Sequence, residues 1–242
     1  MDDKASAQAA ANKHADLPAR LLSAIVMLVV AGTALWLGGT WWLAFVIAVA
    51  AGVIWEWQSI VRKFPGATTL SSAVWVGAGI LYVAFAANTL AVTRGFEEAG
   101  VADAGLFYVG LIVGTVIGVD VGAYFFGRAL GGPKIAPRIS PSKTWAGLLG
   151  GAVGATIVIT MAYMLRGVHW SGALGSGWIA GTLAAVIAQA GDFFESWMKR
   201  RAGVKDSSKL IPGHGGVFDR VDGLLAVCFA LGLAHAAVRI LA

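Results

Sequence analysis

The sequence predicts an all-α fold, a polytopic membrane bundle of about seven transmembrane helices with its N-terminus cytoplasmic. Three observations carry that expectation. Of 242 residues, 58% are hydrophobic and only 13% charged, which does not describe a soluble domain. Seven apolar segments each approach the ~20 residues that a helix needs to cross the hydrocarbon of a bilayer. The basic residues and the tryptophans are distributed as membrane topology demands. The 33 glycines, set largely within apolar runs, suit helices that pack closely in lipid.

Taken in order, residues 1–19 are a polar, alanine-rich stretch with Lys4, Lys13 and three aspartates. It is too long and too acidic for the charged start of a secretory signal, and reads as a cytoplasmic tail or an interfacial helix. Spanning segments are expected at 20–38, 41–60, 71–93, 104–126, 145–165, 177–196 and 221–241. The first two are separated by Gly38-Gly39-Thr40 and must form a tight hairpin. Residues 20–242 hold no linker long enough to divide them, so a single transmembrane domain is expected.

With the N-terminus inside, Arg94, Arg166 and Arg239 are the three basic residues left outside, and the other 15 of 18 lie inside. That bias is a strong positive-inside signal. Trp36, Trp41, Trp42, Trp170 and Trp178 fall near outer ends, and Trp55, Trp57, Trp75, Trp145 and Trp197 near inner ends, as in an aromatic belt. The net charge of +5 would suit nucleic acid or anionic lipid, but in a membrane chain its distribution matters more, and no nucleic-acid partner is expected. The one cysteine, Cys228, provides neither a disulfide framework nor a cysteine metal site. Cys228 and His235 are expected to be packed residues, and Glu56, between two tryptophans, to sit at the membrane interface.

The chemistry concentrates in 189–223, which holds five acidic and six basic residues in an otherwise apolar chain. Pro212-Gly213-His214-Gly215-Gly216 is an open backbone that can approach a ligand closely. Asp219 and Asp222 are spaced to share a helix face. Carboxylates beside lysines and arginines suit a magnesium-bound polyphosphate, acid for the metal and base for the phosphates. A solvated loop between membrane helices is the plain alternative. Asp120 and Asp192 lie within apolar segments, about two turns or ~10 Å from the inner ends. A carboxylate there is costly unless paired or metal-bound. For Asp120 a structural pair with Arg128 or Lys143 is the alternative.

Ser196-x-x-Lys199-Arg200, then Lys205-Asp206, then Pro212-Gly213-His214-Gly215-Gly216-x-x-Asp219-Arg220-x-Asp222 resembles the signature of phosphatidate cytidylyltransferases (CDP-diacylglycerol synthases). Ser140-Pro141-Ser142-Lys143-Thr144-Trp145 is similar to that family's Ser-Pro-Lys-Lys-Thr-Trp-Glu-Gly element, with Ser142 and Ala146 departing from it. Asp120-x-x-Ala123-Tyr124-x-x-Gly127-Arg128 is also similar. The likeness covers roughly the C-terminal half.

The resemblance implies a multi-pass enzyme of the cell inner membrane, its active site facing the cytoplasm, that uses CTP and phosphatidic acid in the lipid bilayer. It implies Mg2+ as cofactor, with K+ or Mg2+ as a second cation, held by Asp192 and Asp219, with Asp120 a further candidate from its place in the membrane. Lys205, Asp206, His214, Arg220 and Asp222 become candidates for the catalytic machinery. Ser140, Ser142, Lys143, Thr144, Lys199, Arg200, Gly215 and Gly216 become candidates for substrate binding. A homodimer is implied by analogy alone. The rival readings are a CTP-dependent kinase of polyprenol or another lipid alcohol and an ion-coupled transporter keeping its aspartates for ions.

Overall fold

The structure, a computed structural model, describes residues 2–98 and 103–241, with side chains at 18 and from 20 onward within them. Seven helices dominate it: α1 (Asp2–Leu37), α2 (Gly39–Val61), α3 (Thr69–Arg94), α4 (Ala104–Leu130), α5 (Trp145–Leu165), α6 (Trp170–Arg201) and α7 (Phe218–Leu241). All seven are long and apolar enough to cross a membrane, α1 through its Arg20–Leu37 part. The protein is therefore a multi-pass membrane bundle. Its outer faces carry large apolar side chains such as Leu28, Leu81, Leu149 and Ile179, which suits a surface solvated by lipid rather than water.

Helix ends follow local chemistry. Thr68 and Ser71 form a reciprocal capping box at the start of α3. Thr144 caps α5 by accepting from Gly147 N–H at 3.0 Å. At the end of α6, Gly203 N–H bonds Arg200 O and Val204 N–H bonds Lys199 O, with Gly203 at φ +69. That is a Schellman stop, which requires a residue comfortable in the left-handed region.

Three differences from the expected elements matter. Helix α1 is continuous from Asp2, so no break separates the polar stretch from the first span. Helix α6 begins at Trp170, seven residues before the expected span, because Ser171, Gly172, Gly175 and Ser176 hide helical continuity from a hydrophobicity reading. The segment before α5, expected as a loop, contains a small antiparallel hairpin, β1 (Lys134–Ala136) with β2 (Ser140–Thr144).

The closest packing is between α4 and α5. A Cβ built on Gly122 would lie 2.1 Å from Gly150 O, and one on Gly154 2.1 Å from Gly118 O. Two small-xxx-small stripes thus let the backbones touch, the usual means of tight association where lipid removes the hydrophobic drive. A second core gathers Trp57 of α2 with Tyr82, Phe194 and Phe218, ring centroids 5.6 to 6.1 Å apart, and joins α2, α3, α6 and α7. Cys228 is buried in this core as expected, whereas His235, expected to be packed, is exposed on α7 because its face of the helix meets no neighbour.

The two ends of the bundle are chemically distinct. At one, Arg94 Nε donates to Leu35 O at 2.9 Å, and Arg166 pairs with Glu98 at 2.6 Å. The hydrogen bonds from Arg166 and then Tyr108 hold the Glu98 carboxyl below the usual carboxylate range. At the other, the β1–β2 hairpin, the 202–217 loop and the α2–α3 connection come together, with Arg201 stacked over Phe64, Trp75 and Trp197.

Candidate active site

The bundle brings Asp120 of α4, Lys143 of β2, Asp192 of α6 and Asp219, Arg220 and Asp222 of α7 around one cavity of about 290 Å3. Residues up to 102 positions apart thereby share one polar hollow in an otherwise apolar bundle. Glycine makes the geometry possible, since Gly191, next to Asp192, would place a Cβ 2.7 Å from Asp222 O. A larger residue there would push α7 away from α6.

Two of the carboxylates that line the cavity, Asp192 and Asp219, are held by lysines. Lys143 Nζ bonds the Asp192 carboxylate, to which Ser196 Oγ also donates at 3.4 Å, and lies 5.6 Å from the centroid of the Phe193 ring. Both partners stay partly accessible, with side chains 22% and 30% exposed. Arg220 is exposed at the rim, and Asp222 Oδ1 accepts from Gly223 N–H at 2.8 Å. Asp120 forms no ion pair with Arg128, whose guanidinium reaches Tyr124 Oη at 3.1 Å. Gln189 lines the same cavity, nearly buried, and its Oε1 has no hydrogen-bond partner.

Asp219 is held differently. Its Oδ1 accepts from Lys199 Nζ at 2.6 Å, and its Oδ2 accepts from Ser207 N–H at 2.9 Å and Gly216 N–H at 2.8 Å, with Ser207 Oγ 2.8 Å away. Lys199 also reaches Glu195 Oε2 at 2.7 Å, so one partly buried ammonium holds two carboxylates. Asp219 thus ties the signature loop to α6 as well as lining the cavity.

The loop itself is a tight structure. Ile211 N–H donates to Gly215 O at 2.8 Å and His214 N–H to Ile211 O at 3.0 Å, closing a turn in which Gly213 and Gly215 have positive φ. A Cβ on Gly215 would stand 2.8 Å from Asp219 Oδ2, so this glycine lets the backbone lie against the carboxylate. His214 Nδ1 is 2.8 Å from Ser23 Oγ of α1, which also donates to Pro212 O at 3.0 Å. Lys205 and Asp206 are exposed at the start of the loop. Arg200 Nε reaches Ile139 O at 3.4 Å and so fastens α6 to the hairpin connection.

In β2, Ser140 is buried, Ser142 is exposed, and the Thr144 hydroxyl is occupied by its helix cap. The candidate residues thus separate into a set around the cavity (Asp120, Lys143, Asp192, Asp219, Arg220, Asp222) and a set that shapes or flanks the loop. Glu56 corrects the sequence reading. Expected at the interface, it is completely buried, because Ser207, Ser208 and the amides of Val217 and Phe218 all point at it. Ser23, Gln189, Glu195, Ser207 and Ser208 were not singled out either. For Glu56 a signal existed, a carboxylate deep in an apolar run. For Glu195 the i, i+4 spacing to Lys199 was another, whereas the partners of Ser23, Ser207 and Ser208 lie far away in sequence.

Among the described residues no three acidic, histidine or cysteine side chains close on one point. The cavity nevertheless offers hard carboxylate oxygens and a free amide oxygen. That suits Mg2+, which takes one or two carboxylates and completes its shell with phosphates and water rather than a full protein cage.

Comparison with known proteins agrees with this chemistry. The model of the cytidylyltransferase family matches residues 67–240. A phosphatidate cytidylyltransferase of Brucella melitensis is 33% identical over 261 aligned positions, covering 90% of this chain and 93% of that protein. One of Rickettsia bellii is 32% identical over 88% of each chain. One of Haemophilus influenzae is 45% identical over a shorter stretch, 50% of this chain and 43% of its own. With a membrane bundle that gathers the signature carboxylates and cations around one cavity, and a match across most of its length, the chain belongs to the cytidylyltransferase family.

Proposed function

We propose that this chain transfers the cytidylyl group of CTP to phosphatidic acid, releasing pyrophosphate and leaving CDP-diacylglycerol in the bilayer. The observation that carries this reading is the cavity itself, carboxylates facing Lys143 and Arg220 at the loop-bearing end of a membrane bundle. A lipid head group and a soluble nucleotide can meet at such a place without the acyl chains leaving the membrane.

The monoester phosphate of phosphatidic acid is already an anion, so its oxygen attacks the α-phosphorus without a strong general base. The bond from that phosphorus to the oxygen bridging to the β-phosphate breaks, and pyrophosphate leaves with the electron pair. The work left to the protein is positioning and neutralisation of charge. Lys143 and Arg220 face the cavity and bind phosphate oxygens, with Lys205, exposed on the loop outside the cavity lining, a further candidate for phosphate contact. Lys143 exchanges its present partner, Asp192, for nucleotide phosphate, which frees that carboxylate. Asp192 and Asp219, with Asp120 nearby, would hold Mg2+, and a second cation, K+ or Mg2+, fits the remaining acid. Bound there, the metal supplies charge neutralisation for the phosphates and the leaving pyrophosphate. Lys199 and the loop amides hold Asp219 in place, and His214, a residue of that loop, is oriented by Ser23 of α1. Concentration of the basic residues at the loop-bearing end supports an inner-membrane enzyme whose site faces the cytoplasm, where CTP is found.

The test is turnover by purified protein in mixed micelles of detergent and phosphatidic acid. Pyrophosphate and CDP-diacylglycerol should appear in equal amounts, need Mg2+, and vanish with EDTA. Formation of CDP with diacylglycerol or a polyprenol as acceptor would replace this reading with a lipid kinase.

A further inference from the structure

Glu56 lies outside the segment that the family match covers and outside every motif of the signature. It sits on α2 among apolar neighbours with no exposure at all, a costly place for a carboxylate unless every lone pair is used. All are used. Oε1 accepts from Ser208 Oγ at 2.6 Å and Val217 N–H at 2.9 Å. Oε2 accepts from Phe218 N–H at 2.7 Å and lies 2.9 Å from Ser207 Oγ. The two amides belong to the start of α7, where helix donors have no intrahelical partner and the dipole favours negative charge. The two hydroxyls belong to the loop, so one side chain of α2 holds both ends of the segment that delivers Asp219.

Two further contacts tie Glu56 to the cavity. Ser207 Oγ stands between Glu56 and Asp219, within 2.9 Å of one and 2.8 Å of the other, and its single proton serves one carboxylate at a time. Gly216, whose N–H binds Asp219, would place a Cβ 2.5 Å from Glu56 Oε1 and 1.9 Å from Ser207 Oγ. That glycine therefore has a reason independent of ligand approach, for the loop must pass directly over Glu56.

We propose that Glu56 is a positioning residue for the reaction: its buried carboxylate clamps the 207–218 loop and the start of α7 onto α2 and so sets where Asp219, Arg220 and Asp222 stand. This rests on the cytidylyl-transfer reading for its kinetic arm but not for its structural one.

The experiment compares wild type with Glu56→Gln, which keeps the shape but turns one acceptor into a donor facing a backbone amide. Turnover is measured per folded molecule, on the monodisperse fraction, together with the rate of tryptic cleavage after the exposed Lys205 and Lys209. One orphaned buried amide should lower kcat about 10–100-fold, with the KM for phosphatidic acid within about twofold. Cleavage at the two lysines should accelerate while other sites keep their wild-type rate. Ser208→Ala, which leaves Glu56 intact and removes one donor, should move both readouts the same way by less, and serves if Glu56→Gln does not fold. A purely structural role would lower the yield of folded protein without altering kcat per molecule. Wild-type kcat in the folded Glu56→Gln protein, or unaltered cleavage at Lys205 and Lys209, would overturn the proposal. Absence of turnover in wild type would remove the cytidylyl reading alone, and the cleavage rates would still decide the clamp.

Discussion

Replacing Asp219 by Asn separates two jobs of one carboxylate. Its Oδ2 collects two backbone amides and its Oδ1 the ammonium of Lys199. Asn has one acceptor, so keeping the amides satisfied turns its NH2 towards Lys199, donor against donor. Lys199 retains Glu195 at 2.7 Å, so the loss is one charge-assisted hydrogen bond at a side chain only 6% exposed. Such a bond contributes about 1.5–3 kcal/mol. At about 2–4 °C per kcal/mol for a chain of this size, the unfolding midpoint should drop about 3–12 °C. Asp192→Asn is the contrast, because Asp192 and Lys143 are both partly hydrated and their pair contributes no more than about 1 kcal/mol. Its midpoint should barely move. Turnover should nevertheless fall about 10²–10³ in both, since each removes charge that phosphate transfer requires. Extra Mg2+ should restore either only in part, and the double variant should be little worse than the singles. Thermal unfolding and pyrophosphate release, read in one detergent at matched protein levels, decide it. An unchanged midpoint for Asp219→Asn would refute its structural job, and wild-type turnover in either variant would refute the site assignment.

The bundle and its orientation are open to equally direct tests. Gly150→Val must displace α4, because even a Cβ there meets Gly122 O and the Phe126 side chain at 2.4 Å; overpacking of this kind costs about 1–3 kcal/mol or more. It should lower the yield of folded protein, while Gly110→Ala, with nothing within 4 Å, should not, as thermal unfolding of the two will show. Cysteine at Asp103 should react with an impermeant maleimide applied outside the cell and cysteine at Ala136 should not, against little background from the buried Cys228. The reverse labelling would invert the orientation and place the site on the wrong side for CTP.

Class, span number and the chemical centre were legible because each rests on a local property. A bilayer demands about 20 apolar residues in a row, and five of the seven expected spans coincide with observed helices to within four residues at either end. Span six failed at its start because the small residues in the first turns of α6, Ser171, Gly172, Gly175 and Ser176, do not look apolar, and they stay exposed in the folded bundle. The hairpin of β1 and β2 was missed because three to five residues offer too short a period to recognise.

The sequence by itself determined a membrane bundle with one charged segment suited to a magnesium-bound polyphosphate, and the resemblance of that segment to the phosphatidate cytidylyltransferase signature named the chemistry. Tertiary structure alone decided how those residues divide the labour. It put Asp192 against Lys143 at a partly hydrated cavity while knotting Asp219 to Lys199, Ser207 and Gly216. It took Glu56 out of the expected interface and buried it under a loop 151 residues further on. The physical reason is that hydrophobicity and charge act on a segment wherever it lies, whereas a buried carboxylate is tolerable only when specific donors converge on it. Which donors arrive depends on helix packing, here on glycines that let α4 touch α5 and the loop cross Glu56, and no local pattern records that meeting.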